Sequence, residues 1–135
     1  MTPAIPTTDI RVPDAEHPIS ITSANGVLRI FVADMLIAET RRALILKEKG
    51  YAPVFYVPRQ DADMSQLVKT DHSTYCPYKG ECSYFSIPVG GSKSEIAVWS
   101  YETPHRAVAA IAHHVAFYSS RVDSITFSGL DEGAA

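Results

Sequence analysis

Residues 19–57 read ISITSANGVLRIFVADMLIAETRRALILKEKGYAPVFYV, a series of short apolar runs divided by turn residues that reads as successive β-strands. In Val27–Val32, Leu28, Ile30 and Val32 fall on one side and Val27, Arg29 and Phe31 on the other, the alternation of an extended chain with a distinct inner and outer face. Asn25-Gly26 just before it is a strong two-residue turn signal, so the pattern predicts a hairpin of Ile19–Ser23 with Val27–Val32. Met35–Glu39 and Ala43–Leu46 read as short strands, and Lys47–Gly50 as a charged turn closing on glycine. Val54–Val57 is β-branched and aromatic between Pro53 and Pro58, where prolines need not donate to a ladder.

Beyond this stretch the same period returns. Arg59–Leu67 is polar and predicts one helical turn. Tyr84–Val89, Gly90-Gly91 and Ser94–Tyr101 read as a second hairpin. Its last strand carries Ala97, Trp99 and Tyr101 on one face and Ile96 and Val98 on the other. A single helix is expected from Thr103-Pro104, with threonine as N-cap and proline in the first turn. Ala107, Val108, Ile111, Ala112 and Val115 then lie at helical spacing. The pattern breaks near His113-His114 and passes into a short strand over Val115–Tyr118. The expected organisation is an extended or disordered arm over 1–18, one β-rich domain over 19–128 and a frayed tail over 129–135. The fold class is mainly β, with small curled antiparallel sheets and one short helix in the C-terminal half.

Composition sets the outer limits. The 135 residues are 46% hydrophobic and 20% charged, ordinary for one globular domain. A formal net charge of -3 argues against a general nucleic-acid binder, which needs a basic surface. No stretch approaches the roughly 20 apolar residues that span a bilayer, so no membrane partner is expected. The N-terminal residues do not read as a secretory signal. Two cysteines, Cys76 and Cys82, are too few for a disulfide framework, and a reduced, cytoplasmic protein is expected. No cofactor fingerprint is present, and no cofactor is expected.

Chemistry concentrates in Asp71–Phe85, DHSTYCPYKGECSYF. With RRALILKE (41–48), VFYVPRQDADM (54–64), AVWSYETP (97–104) and VAFYSSRVD (115–123), this order of motifs resembles the domain-of-unknown-function family numbered 427, also filed under a nucleotidyltransferase-like name. The likeness runs from about Val27 to Asp123. It is carried most specifically by Thr74–Gly80 (T-x-CPYKG) followed by Trp99–Tyr101 (WSY). The resemblance implies a curled β-structure of the Mss4-like or β-tent kind, often a homodimer, and implies no reaction. No glycine-serine nucleotide loop followed by an acid pair is present to support the nucleotidyltransferase label. The positions it carries over are Arg42, Tyr56, Pro58, Asp63, Thr74, Cys76, Lys79, Gly80, Trp99, Tyr101 and Phe117. Cys82 departs from the family, which more usually has a small non-thiol residue there.

Several chemistries compete for these residues. His72, Cys76 and Cys82 supply three potential zinc ligands, but a structural site usually wants four, and no metal is expected. In a strand, His72, Thr74, Cys76 and Tyr78 share a side, so Cys76 is a candidate nucleophile beside Lys79, with His72 as base. The alternative is a packed, inert cysteine. Arg42 and Lys79, with Gly80 letting the backbone approach, are candidates to hold a carboxylate or phosphate; otherwise Lys79-Gly80 is a turn with a solvated lysine. Tyr56, Tyr84, Trp99 and Tyr101 either line a pocket for a flat ligand or fill the core.

The resulting expectation is a small-molecule pocket, with a cofactor-independent lyase, isomerase or transferase acting on an anionic compound. His72, Cys76, Lys79 and Asp63 are its catalytic candidates; Arg42, Tyr56, Thr74, Gly80, Trp99 and Tyr101 are its ligand-binding ones. The alternative is a non-catalytic ligand- or peptide-binding module.

Overall fold

The computed structural model describes residues 9–129. Ten strands run in chain order: β1 (Ile19–Ser23), β2 (Gly26–Val32), β3 (Met35–Thr40), β4 (Leu44–Glu48), β5 (Val54–Pro58), β6 (Val68–Cys76), β7 (Gly80–Ser86), β8 (Val98–Ser100), β9 (His114–Phe117) and β10 (Ser124–Gly129). They form a seven-stranded sheet in the order β1-β4-β5-β9-β8-β7-β6 and a three-stranded sheet in the order β10-β2-β3. Every strand pair is antiparallel, so the chain is mainly β, as its alternation predicts.

The middle of the large sheet, β5, β9 and β8, is covered on both faces, and period-two alternation sorts side chains between two cores. Val57, Phe85, Val98, Val115 and Phe117 face the small sheet, where they pack with Leu28, Ile30, Val32 and Ile37. Leu46, Tyr56, Cys82, Tyr84 and Ala116 point the other way, to Tyr101, Val108 and Ile111. The candidate site lies on this second face.

The expected hairpin of Ile19–Ser23 with Val27–Val32 does not form. β1 pairs with β4, and Ala24 N–H continues that pairing to the Ala43 carbonyl. Asn25-Gly26 is where the chain leaves one sheet for the other. Gly26 is required by proximity: a Cβ there would stand 2.4 Å from the Ser128 carbonyl oxygen of β10. The tight hairpin is one loop later, at Ala33-Asp34, where both residues have positive φ (51° and 64°) and Val32 faces Met35. That is the geometry of a primed turn, formed without glycine. Asp123 supports it by accepting the Ala33 N–H at 2.6 Å.

The expected helix from Thr103-Pro104 is replaced by short 3-10 turns over Arg106–Ile111, broken at Val108 (φ −122°, ψ 28°). His105 precedes them, and its N–H bonds to the Lys79 carbonyl at 3.0 Å. By Ala112 the chain must be extended again, because His114 pairs with Pro58 in the sheet. The longer rise per residue of 3-10 turns lets six residues span more of the distance between two such anchors than α-helical turns would. Arg59–Leu67 contains two 3-10 turns, Arg59–Asp61 and Met64–Gln66. The second expected hairpin is present as β7 against β8, but its first strand is displaced to Gly80–Ser86, its second is cut to Val98–Ser100, and 3-10 turns over Pro88–Ser94 join them. Residues 1–8 of the expected arm and 130–135 of the expected tail lie outside the described residues.

Candidate functional site

Three strands and one turn deliver the side chains. β5 sends Val54 and Tyr56 to the second face, β7 sends Cys82 and Tyr84, and β8 brings Trp99 and leads to Tyr101. The β6–β7 turn, Cys76–Gly80, adds Cys76 and Lys79. Tyr56, Cys76, Lys79, Tyr84, Trp99 and Tyr101 meet around one cavity of about 410 Å³, which Glu48, Tyr51 and Tyr118 also border.

The aromatic walls are tied by hydrogen bonds. Trp99 Nε1–H donates to the Tyr56 hydroxyl at 3.1 Å, and the two rings stand edge to face. The Tyr84 hydroxyl and Thr74 Oγ1 are 2.8 Å apart. Burial pushes the phenol pKa of Tyr56, Tyr84 and Tyr101 up, so all three stay neutral hydroxyls near pH 7. Burial also pushes the Cys82 thiol up, which makes Cys82 a packing thiol and leaves Cys76 as the cavity's own cysteine.

A charged corner closes one side. Lys79 Nζ donates to Glu48 Oε1 at 2.5 Å, and His17 Nε2 lies 2.8 Å from Glu48 Oε2. Both members of the Lys79–Glu48 pair are nearly buried, their side chains 12% and 7% exposed. Burial by itself raises the Glu48 pKa. The hydrogen bonds and charges of Lys79 and His17 outweigh it and hold the carboxyl below the usual range. The His17 ring is stacked on Tyr78, centroids 4.1 Å apart and planes 9° apart. Lys79 Nζ also lies 5.8 Å from the Tyr101 ring centroid, within reach of a cation–π contact. The chain before β1 crosses the same turn, with Arg11 N–H bonding to the Pro77 carbonyl and Tyr75 OH to the Asp9 carbonyl.

The other sequence candidates have different places. Gly80 has φ 111°, a conformation that favours glycine, and shapes the turn that presents Lys79. Thr74 reaches the cavity through the Tyr84 hydroxyl. His72 is exposed and rests against the Tyr84 ring at 4.6 Å; it borders a separate open cleft with Asp71 and Pro88. Asp63 caps the Met64–Gln66 turn by accepting the Ser65 N–H. Arg42 precedes β4 while Glu48 ends it, so Arg42 is a strand's length from Lys79. Its guanidinium pairs with Asp61 at 3.1 Å. Burial raises the Asp61 pKa, but hydrogen bonds from Thr40 and Arg42 hold it below the usual range.

The structure thus joins Tyr56, Cys76, Lys79, Trp99 and Tyr101 at one cavity, with Thr74 and His72 behind Tyr84, and sets Arg42 and Asp63 elsewhere. Glu48 and His17 are the participants that sequence reasoning missed. Glu48 had a signal: Leu44, Leu46 and Glu48 share one parity in β4, so the inward face ends in an acid. Among the described residues, no three His, Cys, Asp or Glu side chains group closely enough to hold a metal ion.

A family model described as a domain of unknown function, DUF427, matches residues 20–128. No curated protein matches the chain.

Proposed function

The chain belongs to the DUF427 family, and from the site itself we propose that it binds a small organic molecule in the cavity between Tyr56, Lys79 and Tyr101. The observation behind this reading is the meeting of a nearly buried Lys79–Glu48 pair with three neutral phenols in one cavity. Apolar walls with a few converging polar groups are the usual make-up of a ligand site. Lys79 supplies a cation for a carboxylate or phosphate on the ligand. When Lys79 turns to that group, Glu48 keeps His17 as its partner. If a reaction follows, Lys79 and Glu48 are the proton donor and acceptor in place, and cofactor-independent lyase, isomerase or transferase chemistry fits them.

The test is a thermal-shift screen against small carboxylates, sugar phosphates and nucleotides. A ligand at a hundredfold excess over its Kd stabilises by about 2.7 kcal/mol. The expected hit raises Tm, slows alkylation of Cys76 by iodoacetamide, and loses at least tenfold in affinity in Lys79→Gln. A hit that leaves Cys76 labelling unchanged and ignores Lys79→Gln would place binding elsewhere.

A second reading, a peptide-binding module, rests on β6. This strand is the outer edge of the large sheet, and most of Val68–Thr74 is exposed, so an added strand can pair there. Amide exchange protection over β6 on adding a peptide, with Cys76 still freely alkylated, would favour it.

A further inference from the structure

A second cavity, of about 440 Å³, adjoins the first. It is lined by Ile30, Pro53, Phe55, Phe117 and Ile125, and no charged side chain among the described residues borders it. The two cavities share Ala52, Val54, Trp99 and Tyr118 as walls. The dividing ridge is the Trp99–Tyr118 pair, ring centroids 4.5 Å apart and tilted by 47°. One side of the ridge offers Lys79, Glu48 and phenol hydroxyls; the other offers aliphatic and aromatic surface, with Ser119 at its rim. A ligand consisting only of a polar group fills the first lobe and leaves the second in contact with water. A ligand that also carries an apolar tail removes that surface from water, which is favourable in proportion to the area covered.

We propose that the ligand is a small amphiphile: a carboxylate head at Lys79 and a short aliphatic or aryl tail lying across the Trp99–Tyr118 ridge in the apolar lobe. This rests on the small-molecule reading above and narrows its ligand class. Sugar phosphates have no apolar group for the second lobe.

Trp99 is the single tryptophan of the chain and sits on the ridge, so its fluorescence reports both lobes. The probes are linear alkanoates from butyrate to octanoate, titrated into the full chain. Kd is expected to fall about fourfold per added methylene until the lobe is filled. Ile125→Glu is expected to flatten this length dependence while keeping butyrate affinity. Ser119→Phe, a substitution at an exposed rim position, does the same by blocking the lobe if Ile125→Glu does not fold. Lys79→Gln weakens every member of the series by the same factor. Binding that depends on Lys79 but not on tail length overturns the amphiphile and leaves the pocket reading standing. No alkanoate binding, with a sugar phosphate bound through Lys79, has the same meaning. No binding of either class overturns both. A Trp99 signal that follows protein concentration, with a dimer in sedimentation, overturns the proposal by giving the apolar lobe to a second copy.

Discussion

Glu48 is held from two sides, and this decides what its neighbours' substitutions do. Lys79→Met removes the nearer partner and leaves a carboxylate only 7% exposed. His17 still holds its other oxygen, so the cost stays below that of a fully uncompensated buried charge, at about 2 kcal/mol. The loss is expected in the urea midpoint, and Glu48→Leu combined with Lys79→Met is expected to recover more than half of it. A fully stable Lys79→Met would show that the lysine is solvated and only visits Glu48. From the sequence alone, Lys79-Gly80 equally fits a turn with a free lysine, because the partner lies 31 positions away. Strand parity places Glu48 inward, but nothing local marks His17, whose role depends on the chain before β1 folding back over Tyr78. Arg42 and Lys79 have the right chemistry for one anion and the wrong positions, being set at opposite ends of β4.

At the level of elements, period-two alternation located β2, and short apolar runs bounded by turn residues located β3, β4, β5 and β9, because each buries part of its length. β10 was not legible: Ser124–Gly129 is largely exposed, and only Ile125 and Phe127 mark an inner face. Turn chemistry misled where a residue served proximity instead of conformation. Asn25-Gly26 has the composition of a hairpin turn, yet Gly26 is there because β10 passes against it. Gly26→Ala is expected to cost about 2 kcal/mol by overpacking and to speed amide exchange in β10 more than in β4. Equal effects on both strands would mean that the methyl group loosens the whole domain. The helical spacing of Ala107–Val115 is real as a pattern. Val108 and Ile111, three apart, are both buried, a spacing that a 3-10 turn satisfies as well as an α-helix does.

For the whole molecule, the shifted groups define a plateau of stability. In Glu48 and Glu102, burial raises the carboxyl pKa, but hydrogen bonds and nearby cations outweigh it and lower the folded value below 4.5; Asp61 is likewise below 3.8. The unfolded chain therefore takes up these protons first. Their contribution is complete above the unfolded values and is lost as pH falls below about 4.5. Tyr56, Tyr84 and Tyr101 behave in the opposite sense: burial keeps them protonated in the fold above their ordinary value of 10. Their contribution is complete below pH 10 and is lost as pH rises beyond it. Cys82, also raised by burial from its ordinary value of 9, begins the alkaline decline earlier, so the urea midpoint is expected to be flat between about pH 4.5 and 9. Glu48→Gln should shallow only the acid limb, and Tyr101→Phe only the alkaline one. An acid limb unchanged in Glu48→Gln would remove Glu48 from the account.

The small sheet also fixes an order of events. β2 and β3 are neighbours in the chain, but the other edge of β2 is covered by β10, with Gly26 opposite Gly129. On a growing polypeptide, β2 emerges long before its second partner, because β3 to β9 lie between them in the chain. Until Ser124–Gly129 arrives, one edge of β2 is an open template for any passing strand. Such long-range closure is slow. Newly made chains thus pass through a sticky interval whose length is set by translation, and a chaperone that shields a single strand edge would be of most use to them in that interval.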